Sequence, residues 1–111
     1  MSAKYEIFQG QNSQYYFRLK AGNNEIILAS EGYTSKANCQ GGILSVRKHA
    51  VADENYERRL AKSNQPYFVL KAANHQIIGT SEMYSSKQGC EKGIASVKKN
   101  APQATVSDLT Q

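Results

Sequence analysis

The side chains best suited to acid–base, nucleophilic or metal chemistry are scarce in this sequence: two histidines, His49 and His75, and two cysteines, Cys39 and Cys90. No CxxC, HxH, HExxH or Cys/His spacing is present, so neither a zinc site nor thiol exchange is encoded in any familiar form. Two cysteines are too few for a disulfide framework, and they read as reduced, core-facing thiols in a reducing compartment. A more suggestive pattern is Glu31-x-Tyr33, which recurs as Glu82-x-Tyr84. A carboxylate and a phenol at that spacing can act as acid or base only with a further group to shift a pKa and orient substrate, and none recurs nearby. The pair reads instead as a tyrosine packed over a helix start and a glutamate near its positive end.

Two other sets of residues can bind without catalysing. Asn23 and Asn74 recur beside Lys20 and Lys71, offering an amide and an ammonium to a ligand, although a turn explains the asparagines because Asn tolerates φ > 0. Arg58, Arg59, Lys62, Lys98 and Lys99, interleaved with Tyr15, Tyr16 and Tyr67, have the composition of a nucleic-acid face, since cations neutralise phosphates and tyrosines stack on bases. No RNP, KH or helix-turn-helix signature accompanies them. The candidate surface residues are therefore Lys20, Asn23, Lys71, Asn74, Arg58, Arg59, Lys98 and Lys99, and no catalytic, cofactor or metal residue is expected.

The elements that must position these residues follow from an internal repeat. Residues 5–50 align without a gap with residues 56–101 at an offset of 51, and 23 of the 46 pairs are identical. In each copy an aromatic strand alternates (Phe17 and Leu19 on one face; Tyr16, Arg18 and Lys20 on the other), with Phe68 and Leu70 set against Tyr67, Val69 and Lys71. A β-branched run follows, over 25–30 and 76–81. Weaker strands, Tyr5–Phe8 and Tyr56–Arg59, precede it. The period then turns helical: Cys39, Gly42, Ile43 and Val46, like Cys90, Gly93, Ile94 and Val97, fall at i, i+3, i+4 and i+7. Ser35 and Ser86 stand at the N-cap, and Arg47-Lys48-His49 and Lys98-Lys99 in the last turn. Glycine in a helix costs about 1 kcal/mol, so Gly42 and Gly93 require a close approach by the sheet or the twin helix.

Each copy is thus β-β-β-α, and the tail near 104–108 adds a short strand. Its counterpart, Asp53 to Glu57, runs into the second copy's first strand and is expected to serve both copies, tying them into one antiparallel sheet. The expected fold is α+β: a single domain spanning 1–111, with both helices on one sheet face about a pseudo-two-fold axis.

Composition narrows the function. With 40% apolar and 21% charged residues the chain is neither low-complexity nor disordered. Its longest strongly apolar run, Ile26 to Ala29, is far short of the roughly 20 residues that cross a bilayer, and residues 1–6 lack the apolar stretch of a secretory signal. A net charge of +5 permits attraction to nucleic acid without requiring it.

The strings from Leu70 to Gly79 and from Gly93 to Lys98, with Ser-Glu-x-Tyr between them, closely resemble the YegP-like family of small, mostly bacterial proteins built from tandem repeats. The resemblance extends over both copies, essentially 5–108. It implies β(3)-α-β units that share one sheet and exchange their last strands, and it implies no biochemical function. Arg58-Arg59, where the first copy has Ile7-Phe8, is its one marked departure from repetition. The resulting expectation is a cytoplasmic, monomeric, non-enzymatic module for an unidentified protein or small ligand, without cofactor or membrane. Weak, non-specific nucleic-acid binding is the alternative and an enzyme the third choice.

Overall fold

Seven strands and two helices make up residues 2–110, which are the residues described by the computed structural model. The first repeat holds β1 (Lys4–Gln9), β2 (Tyr15–Lys20), β3 (Ile26–Ala29) and α1 (Lys36–His49). A 3-10 turn (Asp53–Asn55) leads to β4 (Tyr56–Leu60), β5 (Pro66–Lys71), β6 (Ile77–Thr80), α2 (Lys87–Asn100) and β7 (Thr105–Asp108). The alternation seen in the sequence places Phe17, Leu19, Phe68 and Leu70 in the core, fully buried, with Tyr5 and Tyr56 beside them. Cys39, Ile43 and Val46 from α1, and Cys90, Ile94 and Val97 from α2, join the same cluster, so both helices cover one face. Ser35 Oγ accepts the amide of Asn38 at 3.1 Å and Ser86 Oγ that of Gly89 at 3.0 Å, as the N-cap reading requires.

The sheet order is β4-β5-β6-β3-β2-β1-β7. The repeats therefore meet in the middle, where β3 and β6 run antiparallel and Ala29 faces its own counterpart Thr80. A pseudo-two-fold axis passes between equivalent residues there. Next to it the symmetry is broken by fit: a Cβ on Gly79 would lie 2.6 Å from Leu28 Cγ, so the leucine fills space its twin gives up. Each helix also straddles the junction, α1 packing on β2 and β6, and α2 on β5 and β3.

Two expectations about the connections are corrected. The segment 53–57 does not tie the repeats together: among the described residues β4 pairs only with β5 and forms one edge of the sheet. The tail does become a strand, but β7 pairs with β1 in parallel, Tyr5 opposite Val106 and Ile7 opposite Asp108, so the sheet is mixed. The strand after α2 thus crosses to the first repeat, as the family resemblance implies, without a reciprocal strand on β4.

The turns also differ in one detail. Positive φ falls at Ser13 and Asn24 and at their counterparts Asn64 and His75, and not at Asn23 or Asn74. Asn23 and Asn74 instead accept the amides of Glu25 and Gln76 at 3.1 and 3.0 Å, closing Asx turns that hold the next residue left-handed.

The repeats are not independent. Tyr5 Oη donates to the carbonyl of Ala101, the C-cap of α2, at 2.7 Å, and Tyr56 Oη donates to that of Ala50, the C-cap of α1, at 2.7 Å. The first repeat alone, residues 1–52, would expose the β3 edge and lose both β7 and the carbonyl that Tyr5 satisfies. It is expected to be unfolded or self-associated, and sedimentation finding a folded monomer would contradict this dependence.

Candidate functional site

The recurring Ser-Glu-x-Tyr turns put Tyr33 and Tyr84 over the helices. A Cβ on Gly42 would run into the Tyr33 hydroxyl and lie 3.0 Å from Phe17 Cε2; one on Gly93 would run into the Tyr84 hydroxyl and lie 3.2 Å from Phe68 Cε2. The two glycines are explained by these rings and the sheet below, not by the twin helix. Burial raises both phenols above the ordinary tyrosine range, so each stays neutral and protonated at neutral pH. Gly42→Ala and Gly93→Ala are each expected to destabilise by roughly 1–3 kcal/mol despite alanine's better helix propensity. A denaturation midpoint unchanged in both variants would show that the rings move aside freely.

Lys20 and Lys71 lie on the helix-free face, each held by a carboxylate. Glu6 is buried and takes Arg18 at 2.8 Å and Lys20 at 3.2 Å. Burial works to raise its pKa, but the hydrogen bonds from Arg18 and Lys20 prevail and lower it. In the second repeat Glu57 binds Arg59 and takes Lys71 at 2.6 Å, and these contacts lower its pKa to about 2. The turns carrying Asn23 and Asn74 precede β3 and β6, which are antiparallel, so the two lie at opposite ends of the sheet and form no common surface.

Arg58 and Arg59 are neighbours on a strand and so point to opposite faces. Arg58 occupies the core-facing register that Ile7 holds in β1, opposite Phe68 as Ile7 is opposite Phe17, so the two first strands remain equivalent. It reaches Glu91 of α2 at 2.8 Å and Asp53 at 3.0 Å, and Lys98 meets the same Asp53 at 2.7 Å. These two cations lower the Asp53 pKa to about 2. Lys99 stands apart, beside Gln103, whose side-chain amide donates to its carbonyl at 3.3 Å. The structure therefore brings Arg58 and Lys98 together around Asp53 and leaves Arg59 and Lys99 elsewhere. Tyr15, Tyr16 and Tyr67 are half-buried.

Asp53, which is exposed, Glu57, and Asp108, held low by Thr110 and then Lys36, all have folded pKa values of about 2. Carboxylates with depressed folded pKa values stabilise above about pH 4 and lose that contribution as the pH falls toward 2. The denaturant midpoint is accordingly expected to drop through this window, and less steeply in Asp53→Asn. A pH-independent midpoint would show that these pairs contribute nothing.

Two further features need no partner from outside. Cys39 and Cys90 are free and buried, and burial pushes the Cys39 thiol up to about 11. His49, which has no histidine counterpart, joins α1 to the β5–β6 turn: its Nδ1 lies 2.8 Å from the carbonyl of Ser45 and its Nε2 accepts the amide of Ala73 at 3.2 Å. Among the described residues no group of three or more His, Cys, Asp or Glu is placed to hold a metal ion, and no helix is long and apolar enough to cross a membrane.

One concavity breaks the pseudo-symmetry. A groove of about 330 Å³ runs along the outer end of β4 and α2, lined by Arg58, Arg59, Leu60, Pro66, Lys87, Cys90 and Glu91. Its counterpart in the first repeat is filled: Ile7 pairs with Asp108, the Ile7 carbonyl accepts the amide of Leu109 at 2.8 Å, and Lys36 binds Asp108 at 2.9 Å. The individual residues were legible in the sequence, but the groove was not, because it arises from a missing strand.

These features define a tandem α+β repeat closed by one crossed-over strand. The family model described as a domain of unknown function, DUF1508, matches residues 11–57 and 61–108, and the chain belongs to this family. Both matched segments start after a first strand and end at equivalent positions, within β4 in one case and at the end of β7 in the other. The chain is 58% identical over 110 residues to a UPF0339 protein of Acinetobacter baylyi, covering 99% of each. To the UPF0339 protein YegP of Yersinia pestis it is 52% identical over 106 residues, covering 96% and 95%. Solution structures of a UPF0339 protein from Shewanella oneidensis and of yegP from E. coli, the latter described as a protein of unknown function, match with TM-scores of 0.91 and 0.92. Each is 50% identical to this chain and covers 98% of it, the match spanning 92% and 94% of the solved chains.

Proposed function

We propose that the protein is a small, non-enzymatic binding module, monomeric in the reducing cytoplasm, whose partner-facing surface is the open β4 end of the sheet. The observation that carries this reading is the contrast between the two outer strands. The β1 edge is covered by β7, whereas the equivalent β4 edge and its groove are open. Burial of both thiols in their neutral form fits a compartment without disulfide formation. Nucleic acid is the weaker reading, because Arg58, Arg59 and Lys98 are already engaged by Glu91, Glu57 and Asp53. Phosphates would have to compete with those carboxylates. Catalysis is weaker still, since the recurring tyrosines are used in packing.

The test compares capture from cell lysate by wild-type protein and by Leu60→Glu, with and without nuclease. A protein or ligand retained by the wild type, lost with Leu60→Glu and indifferent to nuclease is the expected outcome. Retention abolished by nuclease, or by Lys99→Glu and not Leu60→Glu, would move the function to nucleic acid.

A further inference from the structure

The filled groove beside β1 is a template for what the open one accepts. Shifted by the repeat offset, the positions that hold the end of β7 fall on β4 and at the start of α2: Tyr5 becomes Tyr56, Ile7 becomes Arg58 and Lys36 becomes Lys87. Lys36 is neutralised by Asp108, but Lys87 has no carboxylate within ion-pair distance among the described residues. Among the described residues no strand lies beside the outer amide and carbonyl groups of β4. Arg58, in place of an isoleucine, is balanced by Asp53 and Glu91, so it adds no unpaired charge to the groove. Leu60 and Pro66 give the outer end an apolar wall, and Leu60 is 61% exposed.

Resting on the reading that this end of the molecule is the binding surface, the geometry points to its ligand: an extended peptide segment of a partner protein that adds to β4 as a parallel strand. Its acidic residue sits opposite Arg58 and binds Lys87, and an apolar residue two positions earlier sits opposite Tyr56. Strand addition draws affinity from main-chain hydrogen bonds and specificity from the alternating side chains. The pattern is that of Val106-Ser107-Asp108-Leu109 on β1. A second copy of this chain is the less suitable occupant, because its own β7 is already committed to its own β1.

The probe is a capped peptide of the sequence 104–110, titrated into the full-length protein and followed through backbone amide resonances. Saturable shifts at Glu57 to Leu60 and at Lys87, with β1 and β7 unmoved, are expected. Lys87→Glu should weaken binding at least about tenfold, and a peptide carrying Asp108→Lys should recover binding to that variant. No shift at millimolar peptide, shifts confined to β1 and β7, or affinity indifferent to Lys87→Glu would each overturn the proposal. Sedimentation showing a wild-type dimer that Lys87→Glu dissociates would also overturn it, by assigning the groove to a second copy. If the peptide fails while Leu60→Glu still abolishes capture from lysate, the strand-addition proposal falls and the binding-module reading stands.

Discussion

A backbone segment can be hydrogen-bonded as a given strand only once, and that constraint organises this molecule. After α1 the chain must continue into β4, so residues 54–57 cannot also lie along the outer edge of the strand they enter. After α2 the equivalent residues 105–108 enter no such strand and pair with β1 instead. One duplicated sequence therefore has two different edges. Covered by β7, β1 carries Ile7 fully buried; at the open edge, β4 carries Arg58 in the same register, where an inward-pointing charge can reach solvent and two carboxylates. Charges of this kind are a common means by which edge strands resist indiscriminate pairing, and they favour a partner with matching charge over any strand at all.

The pseudo-symmetry is otherwise closely kept, and the exceptions are local fits. Tyr5 and Tyr56 cap the helices of opposite repeats with equal hydrogen bonds, and each helix crosses the β3–β6 junction. About fifty residues bury too little apolar surface to stand alone, and interleaving the halves is how the pair makes one core. On the axis, where two equal side chains would collide, Leu28 and Gly79 divide the space. The polar face is kept together by carboxylate-centred clusters, Glu6 in one half and Glu57 in the other. These clusters hold the recurring lysines, which are consequently less available to a ligand than their repetition in the sequence suggests.

Much was determined by the sequence alone. The repeat, the alternation of Phe17 and Leu19, the serine caps and the Cys-Gly-Ile-Val stripe specify elements through local periodicity and capping, and these do not depend on distant contacts. The spacing also required that Gly42 and Gly93 meet something close, though not that it would be Tyr33 and Tyr84. Only the tertiary structure decided how the strands are ordered, that β7 lies parallel to β1, and which charges meet. Pairing across 96 residues, as between Tyr5 and Ala101, leaves no local signature in the chain. The open groove was the least legible feature of all: residues that line it are ordinary in type, and only the presence of β7 at the equivalent place reveals that a strand is absent here.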